Sequence, residues 1–195
     1  QKEARKRQGS TELSVGMGHF LGDPWVFIDT PGGVKFGQDA RDACLVADIV
    51  IVVVEAEVDK VSAAAPLLHY LDGHNIPHVV FINKVDHDPA PMRMLMDRLQ
   101  AISERPMILR QVPLLKGEAV TGYVDLVSAR AYRYADAGPS ALIEMPAGDP
   151  GGAAREELLE TLADYDDVIL EHLLEDRQPA TAEALDAYLS ALGTE

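Results

Sequence analysis

Apolar residues in the first hundred positions fall into short runs separated by segments of helical spacing. Trp25-Val26-Phe27-Ile28 is one run, ending at Asp29. Ile49 to Val54 is a second, ending near Glu55, and His78 to Ile82 is a third, ending at Asn83. Runs rich in Val and Ile predict strands buried on both faces, as in a parallel sheet. Gln38–Val46, Ser62–Leu71 and Pro91–Ser103 read as helices between and after them, and Leu13–Phe20 as an edge strand. Strand–helix alternation predicts right-handed crossovers and an α/β layered domain. After Pro106 the pattern changes. Met107–Val112, Ala119–Leu126 and Ala129–Tyr134 read as short strands, with Lys116-Gly117-Glu118 as a turn. A Gly/Pro-rich stretch at 147–152 precedes two expected helices. One carries Leu158, Leu162, Ile169 and Leu173; the other carries Leu185, Tyr188, Leu189 and Leu192 behind Thr181 as N-cap. The expected organisation is an α/β domain over 1–105 and an α+β unit over 106–195.

Charge sharpens this division. The 195 residues carry 17 Lys and Arg against 32 Asp and Glu, a net charge of −15. Residues 136–195 hold fifteen of the acids and two bases, Arg155 and Arg177, a balance of −13. A surface of this sign disfavours direct nucleic-acid binding and anionic membranes. The acids decorate predicted helices, so a solvated face and an acidic docking surface are both open readings. The longest apolar run has six residues, far short of a membrane span. The opening QKEARKRQGSTEL has no apolar run behind its basic cluster, so no secretory signal is expected. Cys44 is the single cysteine; its apolar context predicts a buried structural thiol in a reducing, cytoplasmic setting.

Two motifs carry candidate chemistry, Asp29-Thr30-Pro31-Gly32 and Asn83-Lys84-Val85-Asp86, each directly after a predicted buried strand and 54 residues apart. A lone D-x-x-G arises by chance about once in such a chain, and N-K-x-D in about a few per cent of them. Together, at the strand ends where open α/β sheets bind ligands, they form a strong pair. The expected placement is at the carboxyl ends of neighbouring parallel strands, on one edge of one sheet. The Asp86 carboxylate can accept two hydrogen bonds from guanine, through its ring N–H and exocyclic amine. Adenine would leave that carboxylate unpaired. Lys84 can lay its aliphatic stem along the base, and Asn83 can brace the loop. Asp29 can hold magnesium through water, and Gly32 lets a backbone N–H approach a terminal phosphate. A contact made only with the triphosphate turns such a loop into a switch. The bland alternative is that Asp29 and Asn83 merely end strands.

The runs FIDTPGGVKFGQDARDACLVADIVIVVVEA and IPHVVFINKVD resemble the GTPase domain of translational GTPases. Gly122 to Val127, Ala129 to Tyr132 and REELLETLADYDDVILEHLLED resemble the insert within the GTPase domain of the elongation factor G family, in an elongation factor G-like form. The resemblance covers essentially the whole chain. It implies a P-loop GTPase-like layered domain with a mainly parallel sheet and an inserted α+β subdomain. It further implies GTP or GDP and magnesium as ligands, and the ribosome as a partner of the longer protein. Arg7-Gln8-Gly9-Ser10-Thr11 resembles the family's first switch, which makes Thr11 the switch threonine that meets magnesium. The sequence departs from the family twice. It contains no G-x-x-x-x-G-K-[ST] phosphate loop, which the family places upstream of Gln1; the last guanine-binding motif would follow Glu195. The chain is thus expected to be the middle of a longer protein. The family's water-orienting histidine after D-T-P-G is replaced by Gly33, and His19 reads as a structural or solvated residue rather than a substitute. Loss of a positioned catalytic group costs about 10²–10⁴ in rate, so a slowly hydrolysing, nucleotide-controlled binding switch is the competing reading.

Overall fold

A computed structural model describes residues 12–20, 22–32, 37–85, 90–117 and 119–193. The chain divides into two compact units, Gln1–Val50 and Ile51–Glu195. In the first, strands β1 (Ser14–Phe20) and β2 (Asp23–Asp29) form an antiparallel hairpin in which Ser14 pairs with Asp29 and Phe20 with Asp23. Gly22, at φ +96°, supplies the left-handed backbone that reverses the chain. Helix α1 (Gly37–Cys44) buries Ala43 and Cys44, and burial pushes the Cys44 thiol above its ordinary range, as expected of a structural cysteine.

In the second unit, β3 (Val50–Glu55) pairs with β4 (His78–Asn83), and helices α2 (Val58–Ser62) and α3 (Ala65–Gly73) connect them. Sequence periodicity suggests one helix here, but the helix breaks at Ala63–Ala64 and restarts with Pro66 in its first turn. Proline has no N–H for the preceding turn and is tolerated only at a helix start. Helix α4 (Met92–Gln100) follows, and Arg98 Nε donates to Ser62 Oγ of α2 at 2.6 Å. Val61, Leu68, Leu71, Leu95 and Leu99 are all buried.

The expectation of strands buried on both faces is corrected. Val52 is 5% exposed, whereas its neighbours Ile51 and Val53 are 59% and 60% exposed. Val26, Phe27 and Phe81 are exposed as well. Among the described residues β2 bonds to β1 in one two-stranded sheet and β4 to β3 in another. Each strand pairs with its neighbour in sequence, the connection of least chain cost.

Beyond α4, the linker into the rest of the unit is held by side chains. Asp72 Oδ2 accepts from Ser103 Oγ at 3.2 Å and from the Glu104 N–H at 2.9 Å. Gln100 Oε1 accepts from the Met107 N–H at 2.8 Å, and Gln100 Nε2 donates to Arg105 O at 3.2 Å. These contacts hold the segment from which a strand over Met107–Val112 is expected, and β5 begins later, at Gln111–Lys116. It joins β6 (Ala119–Asp125), β7 (Arg130–Arg133) and β8 (Ala141–Ile143) in an antiparallel sheet of order β5-β6-β7-β8. Pro113 is accommodated because β5 is an edge strand. Three residues are too few to give β8 a readable pattern.

Helices α5 (Gly152–Leu162), α6 (Asp167–Leu174) and α7 (Thr181–Leu192) complete the unit. Leu158, Leu159, Leu162, Ile169, Ala184 and Ala187 form one buried cluster with Val124, Leu126, Val127 and Ala131 of the sheet and its turn. The single helix expected through Leu158 and Leu173 is two, because Asp166 accepts from the Val168 and Ile169 N–H groups and starts a new helix. Thr181 is the first helical residue of α7 rather than its cap; Glu183 Oε2 instead accepts from the Ala180 N–H at 2.7 Å. Among the described residues no helix is long and apolar enough to cross a membrane.

Close approach of β6 and β7 requires glycine at position 122. A Cβ there would overlap the Tyr132 carbonyl oxygen and lie 3.0 Å from Arg133 Cα, both backbone atoms. Gly122→Ala should therefore cost about 1–3 kcal/mol, read as a lower urea midpoint in equilibrium unfolding. An unchanged midpoint would mean that the two strands separate freely.

Candidate functional site

The carboxyl ends of β3 and β4 lie side by side. The Ala56 N–H, just past β3, donates to Asn83 O at 3.1 Å. Ala56 O accepts from the Ala90 N–H at 2.9 Å. One buried residue thus holds both ends of the loop that follows β4. Short side chains suit this place, since an alanine lets two backbone segments close on it.

Within the loop, Asn83 Oδ1 accepts from the Lys84 N–H at 2.9 Å. Lys84 has φ +57°, a left-handed conformation that few non-glycine residues adopt. The asparagine side chain satisfies the amide that this turn removes from the strand ladder. Lys84 Nζ then reaches across to Oε1 of Glu55, the last residue of β3, at 2.6 Å. That length is typical of a charge-assisted hydrogen bond. The hydrogen bond to Lys84 holds the Glu55 carboxyl below its usual range, and the same bond raises Lys84. Both groups are solvent-exposed, so the pair is subject to screening by salt.

Of the predicted site residues, Asn83 and Lys84 are therefore brought together at one strand end with Glu55. Asp86, the fourth position of the motif, lies outside the described residues. Asp29, Thr30, Pro31 and Gly32 belong to the first unit. Asp29 ends β2, paired in register with Ser14, and is exposed; Thr30 is half-buried and Pro31 buried. A Cβ at Gly32 would meet nothing within 4 Å, so the backbone there is open to an incoming group. Thr11 and Gly33 lie outside the described residues. Glu55 was missed as a functional candidate by motif reading. Its signal is positional: it ends the second apolar run just as Asp29 and Asn83 end theirs.

Among the described residues no group of three or more His, Cys, Asp or Glu side chains is gathered to hold a metal ion. What the ends of β3 and β4 offer is a loop bonded to Ala56 at Asn83 and Ala90, and a lysine paired with the Glu55 carboxylate.

The chain has relatives. Residues 3–173 match the model of the elongation factor Tu GTP binding domain family. The elongation factor G-like protein of a Synechocystis strain is 40% identical over 195 residues, which is 99% of this chain and 29% of that protein. A mitochondrial ribosome-releasing factor 2 from Danio rerio is 31% identical over 75% of the chain and 21% of its own length. A crystal structure from Thermus thermophilus superposes with a TM-score of 0.81 at 24% identity, covering 100% of this chain and 29% of that one. The chain thus spans less than a third of the length of these relatives. A family model matched across most of the chain, a relative at 40% identity end to end and a shared fold place this chain in the elongation factor Tu GTP-binding domain family.

Proposed function

We propose that the intact protein is a GTP-binding, elongation factor G-like factor whose nucleotide state drives conformational switching on the ribosome. The observation that carries this reading is the Asn83–Ala90 loop. An N-K-x-D sequence leaves the carboxyl end of β4, and Ala56 bonds Asn83 at its start and Ala90 beyond it, where a base pocket is needed. Asn83 braces the loop, Lys84 flanks the base along its stem, and Asp86 reads guanine through paired donors. The D-T-P-G segment serves the phosphate side. There Gly32 gives its N–H to the terminal phosphate, with Thr30 and Pro31 shaping the turn.

Asp29 fits a magnesium ion held partly through water. It is an exposed hard-oxygen donor at a strand end, and magnesium commonly takes one or two carboxylates plus substrate phosphates. When bound, the ion neutralises charge on the phosphates. Thr11 and Gly33 belong to the switch segments. In this reading residues 1–105 are part of a mainly parallel GTPase sheet, and residues 106–195 are an α+β insert. The phosphate loop comes from a segment outside these 195 residues. The insert's acidity excludes sequence-specific nucleic-acid contact by this region, and no membrane is involved. The setting is the cytoplasm.

Asp86→Asn in the intact protein tests the base pocket. Xanthine carries a carbonyl where guanine has its amine, so an amide donor suits it. The variant should lose guanine affinity and gain preference for xanthine nucleotides in competition binding. Unchanged guanine preference would remove Asp86 from the pocket.

A slowly hydrolysing binding switch is the second reading, and Gly33 in place of the family's histidine favours it. Gly33→His in the intact protein should then raise ribosome-stimulated GTP turnover, by up to about 10²-fold if the loop holds the imidazole beside the attacking water. Wild-type turnover equal to that of a histidine-bearing elongation factor G would remove the support for this second reading.

A further inference from the structure

We infer that Glu55 is the positioning residue for Lys84, fixing the lysine stem as a preformed wall of the base pocket; this rests on the guanine-pocket reading above. Three observations converge on it. Lys84 leaves the chain from a left-handed backbone, φ +57°, whose amide is held by Asn83 Oδ1 at 2.9 Å, so the root of the side chain is set. Its head is held by Glu55 Oε1 at 2.6 Å. Glu55 directly precedes Ala56, whose backbone fastens both ends of the same loop, so the carboxylate and the lysine spring from one rigid junction. A lysine stem with both ends tied loses most of its rotamers before any ligand arrives, and ordering already done need not be supplied by binding energy.

The pair has other charges beside it. Lys60 of α2 acts on Glu55, and Glu57 acts on Lys84. Both act through space alone, whereas Glu55 and Lys84 share a hydrogen bond. The expected strength is that of an exposed ion pair, about a two- to five-fold effect on nucleotide release.

The test is a double-substitution cycle in the intact protein carrying its phosphate loop, with GDP release followed by a fluorescent analogue. Glu55→Ala should speed release about two- to five-fold, and Glu55→Asp should restore part of the loss. Glu55→Ala should add nothing once Lys84→Met is present. The wild-type advantage should also shrink between low and high salt, which a packing defect would not do. A second readout needs no nucleotide. By carbon NMR titration the Glu55 carboxyl should titrate below the ordinary glutamate range and return to it in Lys84→Met. Additive effects of the two substitutions, or an ordinary Glu55 titration in the wild type, would overturn the assignment. Failure of the pocket reading itself shows separately, as an Asp86→Asn protein with unchanged base preference. Shifted base preference together with additive Glu55 and Lys84 effects would overturn only the role of Glu55.

Discussion

The backbone contacts of Ala56 govern the geometry at the ends of β3 and β4. Its N–H fixes where Asn83 stops belonging to the strand, and its carbonyl fixes where the chain returns at Ala90. Everything chemical between these points inherits that frame. Asn83 can cap the Lys84 amide because the strand has already ended, and Lys84 can reach Glu55 because the two strand ends are adjacent. A loop tied at both ends has fewer conformations open to it than a free one.

Much of this was legible in residues alone. The four strands β1 to β4 fall within a residue or two of the apolar runs that foretell them, because a run of Val and Ile has few alternatives to a strand. The two motifs are visible by spacing, and the buried Cys44 follows from its neighbours. Burial was less legible. An apolar run says that a strand wants cover, not that cover is present, and Ile51, Val53 and Phe81 remain exposed while Val52 and Val54 are covered. Helix boundaries failed where local chemistry overrode periodicity: Pro66 split one helix and Asp166 another. The Glu55–Lys84 pair joins residues 29 positions apart, and no local pattern announces such a partner.

The helices of the acidic segment 136–195 share a hydrophobic core with the sheet, Leu158, Leu162 and Ile169 packing with β6 side chains and the turn that follows them. Half-buried Arg155 of α5 donates to the Leu126 and Val127 carbonyls, and burial lowers its pKa. Those carbonyls sit in the turn after β6, in an apolar setting where an unpaired backbone oxygen is costly. Most of the acids of this segment are exposed, where like charges repel one another only weakly.

The linker clamp has a mechanical reading. Asp72 grips Ser103 and Glu104 with one oxygen, while its other oxygen lies 3.6 Å from His78 Nε2 and 3.8 Å from Arg105 Nε. His78 is the first residue of β4, and Asn83 is its last. The linker at Ser103–Arg105 and the loop after β4 therefore sit at opposite ends of a single strand, about 20 Å long. A hydrogen-bonded strand does not stretch, so linker and loop are held one strand length apart.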